Sequence, residues 1–189
     1  SLFENDCIKR GLSYTEGGAV YNVISPHLGG LADAVNSLYA IKKIVFDNKI
    51  ISFTDFFNVL KNNWEGNEDL RQYVLSGITY YGNDNDEVDE IAARLLDDFA
   101  ATCFSFNGKS PIMFPPGIST FGRQTEWAET RLASPHGRKK GEILSGNSSP
   151  TPGTDKKGAT AIINSYCKAD LTKQVSGSAL DISLLPSTV

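Results

Sequence analysis

Three cysteines, two histidines, one acidic run and two glycine-flanked basic pairs are the parts of this chain that could do chemistry. A Ser or Cys nucleophile needs a base within reach and a third group to orient it, and no G-x-S-x-G elbow occurs in the sequence. His27 and His136 have no paired Cys or His spacing around them, so a zinc site has little to be built from. Asp84, Asp86, Glu87, Asp89 and Glu90 lack the ligand spacing and central Gly of a calcium loop, and read as the acidic first turn of a helix. Gly137-Arg138-Lys139-Lys140-Gly141 and Gly153-Thr154-Asp155-Lys156-Lys157-Gly158 could cradle an anion through backbone amides. Neither matches a Walker-type or G-x-G-x-x-G phosphate loop, and turns carrying solvated lysines are the plainer account. Tyr14, Tyr21, Tyr39, Trp64 and Trp127 follow no regular spacing along a basic strand and read as core or interface residues. Residue chemistry alone gives no complete active site.

The elements that must position these residues belong to a chain of 189 residues with a net charge of -4 and 40% hydrophobic content, which suits one soluble domain or a piece of a larger one. No segment approaches the roughly 18–20 apolar residues of a membrane span, and Ser1 to Gly11 lacks the pattern of a signal peptide. Cys7, Cys103 and Cys167 are odd in number and far apart, which fits reduced thiols in a cytoplasm rather than a disulfide framework. The acidic balance argues against nucleic acid as the main partner.

Along the chain, Gly17 to Ser25 reads as a buried strand and Pro26 to Gly30 as the turn that follows it. Leu31, Ala34, Val35, Leu38, Ile41 and Val45 recur at helical spacing, with Lys42 and Lys43 on the other side. Ser52 with Asp55 resembles an N-cap ahead of a stripe of Phe53, Phe56, Phe57 and Leu60, and Trp64 closes that helix against the core. Asn67 caps a short helix through Leu70, Tyr73 and Val74 that Gly77 ends, and Tyr80 to Asp84 is a turn. Val88, Ile91, Leu95, Phe99 and Cys103 share one face of a long helix from Asp86. Helical periodicity then disappears. Ile112 to Phe114 and Gly117 to Phe121 are β-like runs interrupted by Pro115-Pro116. Residues 133–162 read as a long structured loop, because Gly and Pro recur every few residues. A loop of roughly 25 residues in a compact domain signals function, disorder or a missing neighbour. Ala159 to Cys167 is a strand candidate, and Leu180, Ile182 and Leu184 alternate as in a half-buried strand. Helices concentrated in residues 31–104, with strands and long loops in 111–189, suggest strands that pair with chain not present here.

Taken together, Gly17-Gly18-Ala19-Val20-Tyr21-Asn22, the Tyr81-Gly82-Asn83-Asp84 turn, Ser134 to Glu142, Gly153 to Ala161 and Leu185-Pro186-Ser187 resemble the glycyl radical enzymes. The resemblance is to the pyruvate formate-lyase-like domain, especially its glycerol and diol dehydratase branch, and covers nearly the whole chain in order. It implies an α/β fold, part of a ten-stranded barrel in which residues 1–189 are one partial domain. Such enzymes draw a thiyl radical from a stored glycyl radical and use it for C–C cleavage, elimination or decarboxylation. The radical is installed by an activating enzyme that uses S-adenosylmethionine and an iron-sulfur cluster. The Cys-Val-x-Glu-like and Arg-Val-x-Gly-Tyr-like segments that carry the radicals do not occur in this sequence. Cys7 precedes Ile-Lys, Cys103 precedes Phe-Ser and Cys167 precedes Lys-Ala. The chain is therefore expected to be a second-half segment, inactive alone, with no catalytic residue, bound cofactor or metal of its own. Expected partners are the remainder of the parent barrel, the activating enzyme and a small-molecule substrate, with a homodimer as a further arrangement and neither nucleic acid nor membrane.

What this segment would contribute under the resemblance is substrate-pocket wall, from Ile118, Ser119, Thr120 and Phe121 first and from Ser25, Pro26 and His27 second. Alternate strand residues face opposite sides, so Ile118 and Phe121 could equally be core. His27 stands where a Gln or other polar residue is expected in dehydratase-like members, and Arg123 to Trp127 departs from their apolar-Gly pattern. Two other readings are a non-catalytic scaffold derived from the same barrel and an anion-binding module built on the two basic loops.

Overall fold

The computed structural model describes residues 2–183; Leu184 and the Leu185-Pro186-Ser187 match lie outside the described residues. A single-turn helix α1 (Cys7–Arg10) precedes the helices that carry the core: α2 (Leu31–Ile41), α3 (Phe53–Lys61), α4 (Glu68–Gly77) and α5 (Asp86–Phe104). α2 packs along α5, and Trp64, fully buried, meets Phe56 edge to face at 5.6 Å. Ser52 caps α3 as expected, its Oγ accepting from the Asp55 N–H at 3.1 Å.

The helical faces are shifted from the expected stripes. On α2, Leu31 and Val35 are buried but Ala34 and Leu38 are exposed, while Ala32, Tyr39 and Ala40 face inward. The cause is a wider buried arc: α5 covers one side, and residues 145–151 cover Asp33 and Asn36 on the other. On α3, Phe56 and Val59 are buried while Phe53 and Phe57 are exposed. On α5, Val88, Ala92, Leu96, Ala100 and Cys103 form the buried line, the small residues allowing close approach, with Ile91 and Leu95 at its margin.

The strands are short and parallel. β1 (Asn22–Val23) pairs with β3 (Ile112–Met113), and β2 (His27–Leu28) with β4 (Gly117–Ile118). The segments 22–28 and 112–118 thus run side by side, interrupted at Pro26 and Pro115-Pro116, where proline removes the ladder donor. Two expectations change here. The strand read over residues 17–25 is confined to Asn22–Val23, because Tyr14–Glu16 is a 3-10 turn closed by Gly17. The turn read at Pro26 to Gly30 holds only at its glycines, since His27 and Leu28 are β2. Ile118 also bridges in parallel to Ser178.

Beyond β4 come α6 (Gln124–Ala128) and α7 (Ala159–Cys167), so helices are not confined to residues 31–104. The strand expected at Ala159 to Cys167 is α7. Ala161, Ile162 and Ser165 are its buried residues, a helical spacing that outweighs the β preference of its adjacent isoleucines. The Gly153 to Ala161 turn accordingly leads into a helix, not a strand. Residues 129–158 hold no regular helix or strand. The fold is α/β, with short parallel strands that form no closed barrel among the described residues.

Candidate functional site

The parallel register sets His27 beside Gly117 and Leu28 beside Ile118, which brings the two candidate segments, 25–27 and 118–121, to one place. Ser25 Oγ donates to the Pro115 carbonyl at 3.0 Å, and Pro26 accepts from the Gly117 N–H through its carbonyl. The His27 ring lies edge to face with Phe121, centroids 5.2 Å apart, and its Nδ1 is inaccessible and without a hydrogen-bond partner among the described residues. Gly117 lets the ring approach closely, since a Cβ there would stand 2.7 Å from His27 Cε1. Ile118 points into the core, Thr120 is buried, and Phe121 is 73% exposed. Phe121 also takes a left-handed backbone, φ 52°, an uncommon conformation for an aromatic residue.

Asn147, which sequence reasoning did not single out, joins this cluster from the long loop. Its Oδ1 accepts from the Thr120 N–H at 2.9 Å and from the Ser119 and Thr120 hydroxyls at 3.3 Å, and its Nδ2 donates to Asp181 at 2.6 Å.

A second polar centre lies under the loop, at the first turn of α2. Asp33 accepts from the Ser145 N–H and Oγ–H through Oδ2, at 2.7 and 2.9 Å, and from Thr151 Oγ1 through Oδ1 at 3.0 Å. The buried His136 ring approaches the same carboxylate, Nε2 to Oδ1 3.3 Å, and contacts Ser37 Oγ through Nδ1 at 3.1 Å. Ser37 spends its proton on the Asp33 carbonyl at 2.6 Å, so Nδ1 carries the hydrogen of the His136–Ser37 contact. Burial alone would raise the Asp33 carboxyl; His136 and the Ser145 donors outweigh it and hold the group below its usual range. Arg138, also buried, spreads its guanidinium over the Leu132, Lys139 and Glu142 carbonyls and Ser134 Oγ. A Ser-His-Asp set is thus present by type, but Ser37 sits mid-helix with its hydrogen committed to a carbonyl, and the set ties loop to helix rather than forming a nucleophile.

The two basic loops are committed in the same way. The Lys156 and Lys157 N–H groups donate to Asn83 Oδ1, the Lys139 N–H to Glu142 and the Lys140 N–H to Asn63. These are amides an anion would need, so the geometry speaks against the anion-binding reading.

A cavity of about 510 Å³ opens beside the cluster, with Gly29, Trp127, Arg131 and Arg138 among its walls. Trp127 packs directly over Gly29, whose Cβ position also approaches Thr120 Cγ2. None of the seven candidates lines this cavity. Nor does any cysteine line it. Cys7 and Cys103 are buried, burial pushes the Cys103 thiol up, and Cys167 is exposed at the end of α7.

The family model described as pyruvate formate lyase-like matches residues 1–125. The chain is 32% identical to the probable dehydratase YbiW of Escherichia coli, over 100% of this chain and 24% of that protein. It is 35% identical to the (2S)-3-sulfopropanediol dehydratase of Klebsiella oxytoca, over 96% and 23%. The crystal structure of a glycyl radical enzyme from Archaeoglobus fulgidus superimposes with a TM-score of 0.85 at 31% identity, covering 97% of this chain and 23% of its own. The chain thus spans about a quarter of the length of its curated relatives.

Proposed function

The chain belongs to the pyruvate formate lyase-like family, and from that premise we propose that it is one segment of a glycyl radical enzyme that dehydrates, or otherwise cleaves, a small polar substrate. The segment supplies substrate-pocket wall, through Ser119, Thr120 and Phe121 with Ile118 behind them, and through Ser25, Pro26 and His27 alongside. The observation that carries this reading is the meeting of the two candidate segments across the β2–β4 register, with His27 set against Phe121. No chemical step is assigned to this chain, because none of its three cysteines stands in a Cys-Val-x-Glu-like segment. The thiyl cysteine and the glycyl radical belong to the remainder of the parent barrel, a ten-stranded one, with the radical installed by an S-adenosylmethionine and iron-sulfur activating enzyme in a cytoplasmic setting. A diol such as (2S)-3-sulfopropanediol, the compound named for the Klebsiella relative, is the substrate class to try first.

The test is electron paramagnetic resonance after incubation with an activating enzyme. The 189-residue chain should stay silent, while the full-length protein that carries it should develop a glycyl radical and turn over a diol. A radical on the isolated chain would sink the segment reading. Coding sequence on either side that lacks both radical-bearing segments would favour the scaffold reading instead.

A further inference from the structure

We propose that Asn147 is a positioning residue for the pocket wall: its side-chain amide clamps the Ser119–Phe121 turn to the segment bearing Asp181 and so sets how Phe121 and His27 are presented to substrate. The inference rests on the reading of that turn as pocket wall.

The chemistry on the two sides of Asn147 leaves little choice of residue. One side faces the Thr120 N–H, which can only donate, and the other faces the Asp181 carboxylate. A primary amide serves both, with oxygen toward Thr120 and nitrogen toward Asp181, and the neighbours fix its orientation. An aspartate would keep the first contact and set two carboxylates against each other. An apolar isostere would lose both. Asn147 also sits at φ 50°, a left-handed conformation that Asn tolerates better than most residues.

The clamp matters because of what it holds. Phe121 is left-handed itself, with its ring largely in solvent, so its own packing does little to keep it there. What fixes the turn is the Asn147 carbonyl on Thr120 and Ser119, returned by the Asn147 N–H to Thr120 Oγ1 at 3.3 Å, while Ser119 Oγ accepts from the Phe121 N–H. The far end is anchored too. Asp181 exchanges backbone and hydroxyl hydrogen bonds with Ser149, at 3.0 and 3.1 Å, so Asn147 braces the turn against a pinned partner. Strained backbone held by surrounding contacts is a recurring feature of sites where a side chain must be aimed.

The test uses the full-length protein that carries this segment, without its radical, and two probes: glycerol and (2S)-3-sulfopropanediol. Calorimetry gives the ratio of their Kd values, thermal unfolding gives Tm, and amide exchange reports on Thr120. Asn147→Gly keeps the left-handed backbone and removes the amide. It should expose the Thr120 amide to exchange and shift the Kd ratio by about tenfold, or about 1.4 kcal/mol. Asn147→Asp should shift the ratio in the same direction. The reciprocal pair Asn147→Asp with Asp181→Asn restores a donor facing an acceptor, and should return both the ratio and Thr120 protection to within about twofold of the parent. A residue that only stabilises the fold would lower Tm and leave the ratio unmoved, and that result overturns the proposal. Phe121→Leu runs in parallel. A ratio moved by Phe121→Leu but not by Asn147→Gly overturns the positioning role and keeps the pocket reading. A ratio moved by neither, or no binding of either probe to the parent, overturns both.

Discussion

His136 Nε2 stands 3.3 Å from Asp33 Oδ1, joining the long loop to the first turn of α2 where both side chains are almost closed to solvent. The same carboxylate holds Ser145 and Thr151, so one side chain fastens the loop at three points. Asp33→Ala would leave the Ser145 N–H and two hydroxyls without their acceptor. Buried donors stripped of a charged partner cost about 3 kcal/mol or more. The expected result in urea denaturation of the full-length protein is a loss of that size, and one below about 1 kcal/mol would show that water replaces the carboxylate there.

The same carboxyl gives a pH dependence whose sign is fixed. Its folded-state pKa is depressed below the ordinary 3.8, so its contribution is present above that value and is lost as pH falls through it toward the folded pKa. The wild-type protein should therefore lose more stability than Asp33→Asn as pH drops below about 4. Parallel acid titrations of the two, followed by denaturant midpoint, check this. Curves that stay the same distance apart would remove Asp33 as the source.

Gly82 marks a point where loop and helices press together. It has φ 92°, and a Cβ there would lie 2.3 Å from Pro150 Cγ. Gly82→Ala pays for left-handed backbone and for the clash at once, together about 2–4 kcal/mol. Gly153→Ala, with φ 81° and no atom within 4 Å of the Cβ position, carries the backbone cost alone. Differential scanning calorimetry of the two variants separates the contributions, and equal losses would mean that Pro150 moves aside freely.

How much of this was legible in the sequence depends on how local the signal is. The Ser52 cap, the acidic start of α5 and burial of Trp64 follow from near neighbours and are present as expected. The buried face of α2 departs from its sequence stripe because it depends on what covers it, and the 145–151 segment that covers Asp33 and Asn36 lies more than a hundred residues away. α7 was misread because Ile162 and Ile163 favour strands locally, whereas the pattern that decides it is the burial of Ala161, Ile162 and Ser165. The two segments proposed as pocket wall follow from resemblance, and only the β2–β4 register shows that they meet. Asn147 and Asp33 belong to no motif, and His136 lies in the Ser134 to Glu142 match without a role that the match assigns: an Asn between a donor and a carboxylate is recognisable only when both are in view.

Gly117→Ala isolates the aim of His27 from the rest of the proposed pocket wall. Gly117 does not need a left-handed backbone, so alanine there carries no φ penalty, and its effect is steric. The new Cβ would meet His27 Cε1 at 2.7 Å and Ser176 Cβ at 3.0 Å. The imidazole is the softer neighbour, since Ser176 is held by its N–H to the Pro116 carbonyl and by Oγ to the Pro115 carbonyl. The ring should therefore swing away from Phe121 and break the 5.2 Å edge-to-face contact, at a stability cost of about 1–3 kcal/mol. If His27 faces substrate, kcat/KM for a diol should fall by about tenfold or more, beyond anything that the lost stability explains at a temperature where the variant stays folded. The control is Gly29→Ala, which drives a Cβ to 2.6 Å from Trp127 Cζ3 and disturbs the neighbouring cavity wall. Loss of activity in Gly29→Ala with none in Gly117→Ala would move the substrate from the His27–Phe121 edge to the Trp127 side.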